Sequence, residues 1–168
     1  LEKLFKKHDI KTIIDVPCGD YNWFKEIDHN FDLYLGYDIV DDLIKDNAKQ
    51  YGDDKHIFKK KNCLEDEFEK ADMVFCRDLL LHFAASDIFR FFQNLERSDV
   101  PLLLISHAVG IENEEIVTGQ GRLVNLTAAP FNFPEPQELF MENSVVFDGK
   151  FKDIRSMALW RTEDIFKA

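Results

Sequence analysis

The chain has 168 residues, a length that suits one domain with one hydrophobic core. Its formal net charge of −11 disfavours a nucleic-acid partner, because an acidic surface repels phosphate backbones. No apolar run approaches the roughly 20 residues that cross a bilayer, so we expect no membrane partner. The first residue is Leu1 rather than Met, and we expect the chain to be a fragment of a longer protein.

The cysteines Cys18, Cys63 and Cys76 are odd in number and lack the C-x-x-C spacing of zinc sites. A disulfide framework is therefore not expected. We predict small buried thiols and a reducing, cytoplasmic location. Nothing in the sequence requires a metal, and a Mg²⁺ or Ca²⁺ site built from carboxylates has no specific support.

The first half of the chain alternates predicted strands with predicted helices. Strands are expected over residues 11–16, 32–39 and 56–61, and helices over Tyr21–Asp28 and Asp41–Tyr51. A turn at residues 17–20 follows the first strand, and Gly52 ends the second helix.

The second half continues the alternation and then changes character. Strands are expected over residues 71–76 and 100–106, with an amphipathic helix between them that ends at Arg97. Residues 108–137 are rich in glycine and proline, which predicts a long functional loop. Two further strands are expected at Ser144–Phe147 and Ser156–Trp160. This order of elements predicts an α/β fold with a mostly parallel sheet and helices on both faces.

Ligands of open α/β sheets bind beyond the carboxyl ends of the strands, and polar residues gather at the predicted ends here. Gly19 lets the backbone approach a ligand closely. Asp38 follows the second strand and can accept both ribose hydroxyls of a nucleoside. Asn62 can pair with an adenine edge, because its amide both donates and accepts.

The turn after the first strand does not suit a dinucleotide. Pyrophosphate binding calls for G-x-G-x-x-G, whereas only Gly19 is present and Asp15 and Asp20 are negative. Carboxylates suit a ligand with ammonium and sulfonium groups, and Tyr21 and Trp23 can add cation–π attraction.

Several segments together resemble the class I S-adenosylmethionine-dependent methyltransferases. Ile14-Asp15-Val16-Pro17-Cys18-Gly19-Asp20 resembles motif I in its D-x-x-C-G variant, although Pro17 and Asp20 stand where small residues are common. Residues 35–39 resemble motif II, and residues 76–83 resemble the motif after the fourth strand. Residues 121–126 and 130–136 are similar to a signature of a bacterial subgroup associated with surface-glycan and natural-product clusters.

The resemblance covers almost the whole chain. It implies a Rossmann-like class I methyltransferase fold, with a seven-stranded, mostly parallel sheet, in a single domain over residues 1–168 with an active-site loop insertion at about 108–137. It implies S-adenosylmethionine as cofactor and S-adenosylhomocysteine as product. The cofactor-binding residues predicted from the strand ends and the resemblance are Asp15, Pro17, Cys18, Gly19, Asp20, Trp23, Asp38, Ile39, Asn62, Cys63, Arg77 and Asp78.

Two histidines are candidates for the base that deprotonates an acceptor hydroxyl. His82 lies four residues after Asp78, which could orient it on a helix, and His107 ends the fifth strand. The alternative is that His82 caps a helix turn. Arg122 and Asn125 are predicted to hold the acceptor, and Arg122 suits a phosphate or carboxylate. The alternative for Arg122 is that it pins the loop to the acidic surface.

The predicted reaction is methylation of an oxygen on a small or carbohydrate-like acceptor, in surface-polysaccharide or natural-product biosynthesis. A nicotinamide-dependent oxidoreductase is the alternative enzyme, although the missing glycines count against it. A third possibility is a methyltransferase-fold module that has no activity and binds a partner.

Overall fold

The computed structural model describes residues 1–142 and 154–167. The strands are β1 Thr12–Asp15, β2 Leu33–Asp38, β3 His56–Lys60, β4 Met73–Cys76, β5 Leu102–Ala108, β6 Glu138–Met141 and β7 Arg155–Arg161. The helices are α1 Glu2–Lys7, α2 Asp41–Tyr51, α3 Ala85–Glu96 and α4 Thr162–Phe166, with short 3-10 helices at Phe24–Glu26 and Leu80–His82.

All seven strands form one sheet in the order β3-β2-β1-β4-β5-β7-β6. The first five in this order pair in parallel, and β7 pairs antiparallel with both of its neighbours. The predicted fold is therefore confirmed. The dinucleotide-binding fold has the strand order 3-2-1-4-5-6 and no antiparallel strand beside its fifth strand. The present sheet differs from it at the edge formed by β5, β7 and β6.

Alternate residues of the central strands enter two hydrophobic layers. Ile13 packs with Ile44 of α2 on one face of the sheet, whereas Ile14 packs with Ile88 of α3 on the other. The helices α1 and α2 cover the first face, and α3 and α4 cover the second. A strand buried on both faces reads as a continuous apolar run, which is why β5 was recognisable in the sequence.

The predicted helix over Tyr21–Asp28 is wrong, because only the 3-10 helix at Phe24–Glu26 forms there. Tyr21 has a φ of +58°, which an α-helix does not allow. Its ring is buried against Tyr34 and Phe58, with centroids 4.8 and 5.2 Å away. Burial of this ring therefore outweighs the local helical spacing.

The remaining predicted helices and strands agree with the structure in some places and differ in others. The helix Asp41–Tyr51 forms as predicted and is followed by Gly52. The predicted strand Ser144–Phe147 lies outside the described residues. The strand β6, which was not predicted, begins directly after the segment 108–137 that was expected to be irregular. Residues 61–72, between β3 and β4, contain neither helix nor strand.

The long segment from 109 to 137 contains no helix or strand but is packed against the second face. Trp160 on β7 donates its indole N–H to the carbonyl of Pro134 at 2.8 Å. Phe133 packs edge-on against Phe92 at 4.7 Å, and Phe131 lies 5.4 Å from Phe89. The loop therefore has its own anchors in the core. Within residues 1–142 and 154–167, no helix has the length and apolarity to cross a membrane.

Candidate active site at the carboxyl ends of the strands

Backbone hydrogen bonds hold the turn after β1 between its two neighbouring strands. Val16 N–H donates to the carbonyl of Phe75 on β4, and Cys18 N–H donates to that of Tyr37 on β2, at 2.9 and 2.8 Å. Asn47 of α2, which is buried, donates to the carbonyl of Gly19 at 2.7 Å. Asn47 was not singled out in the sequence, although its place three residues after Ile44 on the buried side of α2 was a signal.

Gly19 and Asp38 meet at this turn. Gly19 has a φ of +54°, and a Cβ added to it would meet no atom within 4 Å. Its N–H donates to Asp38 Oδ2 at 3.3 Å, and Val40 N–H donates to Asp38 Oδ1 at 3.0 Å. Ile39, next to this carboxylate, is 60% exposed. The turn therefore presents open space, a carboxylate and an exposed apolar side chain together.

Asp15 lies beneath the turn and not on its open side. Its side chain is 2% exposed, and Tyr34 donates its hydroxyl to Asp15 Oδ2 at 2.6 Å. Burial raises the pKa of Asp15 to about 8, with a smaller contribution from the nearby charge of Asp38. The carboxyl is thus mostly protonated at neutral pH, and direct contact with a cofactor would require the turn to open.

The aromatic residues after the turn take different positions. Tyr21 is buried, so its ring face is not available to a ligand. Trp23 is 42% exposed, and the guanidinium of Arg77 lies 5.4 Å from its ring centroid.

Pro17 is half-buried within the turn, and Asp20 is exposed and accepts from Asn22 N–H at 3.1 Å.

Asn62 and Cys63 form a turn after β3. The side-chain oxygen of Asn62 accepts from Leu64 N–H at 3.1 Å, and the backbone N–H of Asn62 donates to Asp66 Oδ2 at 2.6 Å. The carbonyl of Cys63 accepts from the buried amide of Asn94 at 3.0 Å. Burial raises the pKa of Cys63 to about 12, so its thiol stays protonated. All three cysteines are free and buried.

Two arginines and two carboxylates meet beyond β4. Arg77 donates to Glu142 Oε1 from Nε at 3.1 Å, and its Nη2 lies 3.0 Å from the same oxygen. Arg155 donates to Asp78 Oδ1 at 2.6 Å, and Ser106 Oγ accepts from Asp78 N–H at 2.9 Å. Arg155 and Glu142 were not identified from the sequence. Only the reversed direction of β7 places the start of that strand beside the carboxyl ends of the parallel strands.

The hydrogen bond expected between Asp78 and His82 is not formed. Asp78 has a φ of +57°, and only Leu80–His82 are helical, so the two residues do not share the face of an α-helix. His82 is exposed, and its Nδ1 lies 2.9 Å from the carbonyl oxygen of Gln120.

His107 lies on the buried part of β5. Its Nδ1 accepts from Leu126 N–H at 3.2 Å, and its ring meets Trp160 edge-on at 5.5 Å. Burial lowers the pKa of His107 to about 4, so this side chain is neutral at physiological pH. His107 therefore connects the sheet to the long loop.

The predicted acceptor-binding residues are engaged by protein groups, which lie in the long loop and, for Arg122, also in the 3-10 helix Leu80–His82. Arg122 donates to the carbonyls of Glu114 and Leu80 at 2.8 and 3.1 Å. Asn125 is buried, donates to the carbonyl of Ile111 at 2.7 Å and accepts from both the N–H and the hydroxyl of Thr127. Arg122 thus holds the loop in place, as its alternative role requires, but through backbone carbonyls and not through acidic side chains. Acceptor binding by Arg122 or Asn125 stays a prediction.

A cavity of about 460 Å³ lies at the predicted functional edge, and its walls include Trp23, Phe75 and Arg77. A second cavity, of about 570 Å³, is lined by Asp72 and Leu102 at the amino ends of β4 and β5, away from the turn. Within the described part of the chain, no group of three or more His, Cys, Asp or Glu side chains could hold a metal ion.

Solved structures share this architecture at low sequence identity. The methyltransferase domain of a bacterial CtHen1 superposes with a TM-score of 0.67 at 12% identity, covering 95% of this chain and 94% of that one. Human N-acetylserotonin methyltransferase, solved in complex with SAM, gives a TM-score of 0.65 at 13% identity, over 95% of this chain and 49% of its own. The likeness shows that the chain has the class I methyltransferase fold.

The same fold also serves another reaction. The [4+2]-cyclase SpnF superposes with a TM-score of 0.53 at 16% identity, covering 72% of this chain and 48% of that one. No protein-family model matches the sequence, and no curated protein matches it. Function must therefore be argued from the site.

Proposed function

We propose that this chain is an S-adenosylmethionine-dependent methyltransferase that methylates an oxygen of a small or carbohydrate-like acceptor. The observation that carries the proposal is the pairing of Gly19 with Asp38 at the carboxyl ends of β1 and β2, in a class I methyltransferase fold. A backbone with open space beside a nearly buried carboxylate suits a nucleoside whose ribose hydroxyls donate to that carboxylate.

The residues present fit this cofactor better than a dinucleotide. The open side of Gly19 leaves room for a ligand, and Ile39 offers an exposed apolar surface beside Asp38. The carboxylates of Asp38 and Asp20 would repel a pyrophosphate, whereas they attract a cation. When bound, S-adenosylmethionine supplies a methyl group on a positively charged sulfonium.

The remaining task of the protein is to align the acceptor and to receive its proton. His82 is exposed near the carboxyl edge of β4 and is our candidate base. Asp78 is held by Ser106 and Arg155 and would shape the site around the acceptor. The assignment to surface-polysaccharide or natural-product biosynthesis remains a prediction.

Calorimetric titration with S-adenosylhomocysteine tests the proposal directly. The parent protein should bind, and Asp38→Ala should weaken binding at least about tenfold, because a charge-assisted hydrogen bond of about 1.5–3 kcal/mol is lost. Asp42→Ala is the matched control, since this carboxylate on α2 is 95% exposed. Absence of binding by the parent, or equal binding by both variants, would contradict the proposal.

The two alternatives give different results in the same experiment. NADH binding without S-adenosylhomocysteine binding would indicate an oxidoreductase, against which the single glycine and the reversed β7 already count. A module without activity would bind the cofactor weakly and would show no methyl transfer to any acceptor.

A further inference from the structure

We infer that the 460 Å³ cavity beyond β4 binds the acceptor, and that this acceptor is a neutral molecule built on a flat, largely apolar ring. The inference rests on the proposed function and, of its two acceptor classes, selects the small molecule over the carbohydrate-like one.

The position of the cavity relates it to the proposed cofactor turn. Phe75 and Arg77 flank the last residue of β4, and Trp23 follows the turn after β1. Phe140 and Met141 end β6, which runs parallel to β5. The cavity therefore lies at the edge where the sheet's carboxyl ends meet. Gly19, Asp38 and His82 are not among its lining residues, so the acceptor must extend beyond the cavity to meet the cofactor and the base.

The walls of the cavity are aromatic and apolar. Trp23, Phe140 and Met141 are 42%, 38% and 41% exposed, and all three surround this one concave site. Single exposed apolar side chains are ordinary, but a concave cluster of them marks a binding site. The volume is within the range of about 300–1,000 Å³ that small-molecule sites occupy. The indole of Trp23 supplies a flat face for a ring, and the Met141 side chain adapts to its shape.

The charges at the cavity compensate one another. The charged side chains that line the cavity are Arg77 and Glu142, and Arg77 is bound to Glu142 Oε1. Arg155 does not line the cavity; it is bound to Asp78 and lies 3.4 Å from Glu142 Oε2. A phosphate or carboxylate ligand of Arg77 would have to displace Glu142, which would leave a partly buried charge without its partner. A neutral ligand meets no such penalty.

Arg122, the residue predicted from the sequence to bind an anionic acceptor, does not add a positive charge to the cavity. Arg122 directs its guanidinium to the backbone carbonyls of Leu80 and Glu114 and does not line this cavity. The described residues of the cavity therefore favour a neutral ring over the anionic acceptor that Arg122 would suit.

Calorimetry on the protein saturated with S-adenosylhomocysteine tests the inference with four probes. These are 2-naphthol, its anionic counterpart 2-naphthoate, glucose 6-phosphate and methyl glucoside. We expect 2-naphthol to bind at least about tenfold more tightly than 2-naphthoate, and neither sugar to compete with it.

Variants of β6 locate the binding. Phe140→Ala and Met141→Ala should each weaken 2-naphthol binding, by about tenfold for Phe140, because an aromatic contact is removed. Leu139→Ala is the matched control, since Leu139 is 42% exposed on the same strand but does not line the cavity. Thermal melts establish that each variant is folded.

Three results would overturn the inference: no binding of 2-naphthol, equal binding to the parent and both β6 variants, or tighter binding of 2-naphthoate or either sugar. The titration with S-adenosylhomocysteine, done before any probe is added, tests the proposed function separately. If the cofactor product binds and 2-naphthol does not, only the substrate class is wrong. If the cofactor product does not bind, the proposed function fails first, and 2-naphthol titrated alone still tests the cavity.

Discussion

A histidine acts as a base only through a ring nitrogen whose lone pair is free. In His107 the unprotonated Nδ1 already accepts from Leu126 N–H. In His82 the Nδ1 faces the carbonyl of Gln120, which only accepts, so Nδ1 carries the proton and the lone pair is on Nε2. The hydrogen bonds therefore favour His82 over His107 as the base.

His82→Asn tests this assignment. Asn keeps a donor for the Gln120 carbonyl but has no basic nitrogen, so kcat should fall by about 10²–10⁴. The measurement is steady-state methylation of an accepted substrate. His107→Asn is the control, since it keeps an acceptor for Leu126 N–H and should change stability more than kcat. An unchanged kcat in His82→Asn would remove this residue from the mechanism.

The buried Asp15 should make the stability of the protein depend on pH, because its pKa of about 8 in the folded protein lies far above the value of about 4 in an unfolded chain. Below pH 4 Asp15 is protonated in both the folded and the unfolded protein, so its burial does not lower the free energy of unfolding through ionisation. As pH rises from 4 to 8 the unfolded state ionises first, so the free energy of unfolding falls and reaches its lower level above pH 8.

Asp15→Asn should therefore lose this pH dependence. Relative to the parent, its free energy of unfolding should rise by about 2–3 kcal/mol between pH 5 and pH 7. Urea unfolding at several pH values measures the difference. Asp20→Asn, at an exposed carboxyl in the same turn, should follow the parent curve. Parallel curves for Asp15→Asn and the parent would show that Asp15 is ionised in the folded protein.

At the scale of the element, the turn between β1 and the 3-10 helix combines two requirements on Gly19. Its φ of +54° is costly for other residues, and its open side is where we propose that the cofactor binds. Gly110 also has a positive φ, of +70°, with open space around it, but it follows β5 at the start of the long loop.

Gly19→Ala and Gly110→Ala should thus separate strain from ligand contact. Each should lower the free energy of unfolding by about 1 kcal/mol, because both carry the same left-handed backbone. Only Gly19→Ala should also weaken S-adenosylhomocysteine binding, by at least about tenfold, since its methyl group would occupy ligand space. Equal affinities for the two variants would mean that the cofactor does not approach Gly19.

At the scale of the whole molecule, the long loop is held to the sheet by side chains far apart in sequence. Phe133 contacts Phe92 of α3 and Trp160 of β7, and Trp160 also binds the Pro134 carbonyl. The loop residues near His82 and Arg122 therefore depend on packing that spans the second face of the sheet.

Phe133→Ala should destabilise the protein by about 2–4 kcal/mol, because it leaves a cavity between α3, β7 and the loop. Denaturant unfolding measures this change. Val117→Ala, at a loop position that is 72% exposed, should change stability by less than about 0.5 kcal/mol. If the two variants were equally stable, the loop would not be part of the cooperative core.

The sequence by itself determined the features that follow from local periodicity. The helix Asp41–Tyr51 and the buried strand β5 were recognisable because spacing and apolar runs act within a few residues. The convergence of Gly19 and Asp38 was predictable too, since parallel strands bring their carboxyl ends to one edge.

Only the tertiary structure decided what depends on contacts between distant segments. The burial of Tyr21 outweighed its helical spacing. Backbone carbonyls of the loop and of the 3-10 helix at Leu80 accept the hydrogen bonds of Arg122, which the sequence analysis had assigned to a substrate. The reversed β7 carried Arg155 to the side of Asp78 across 77 positions of sequence. No local pattern encodes such a pairing, because it forms only when the order and direction of the strands in the sheet are set.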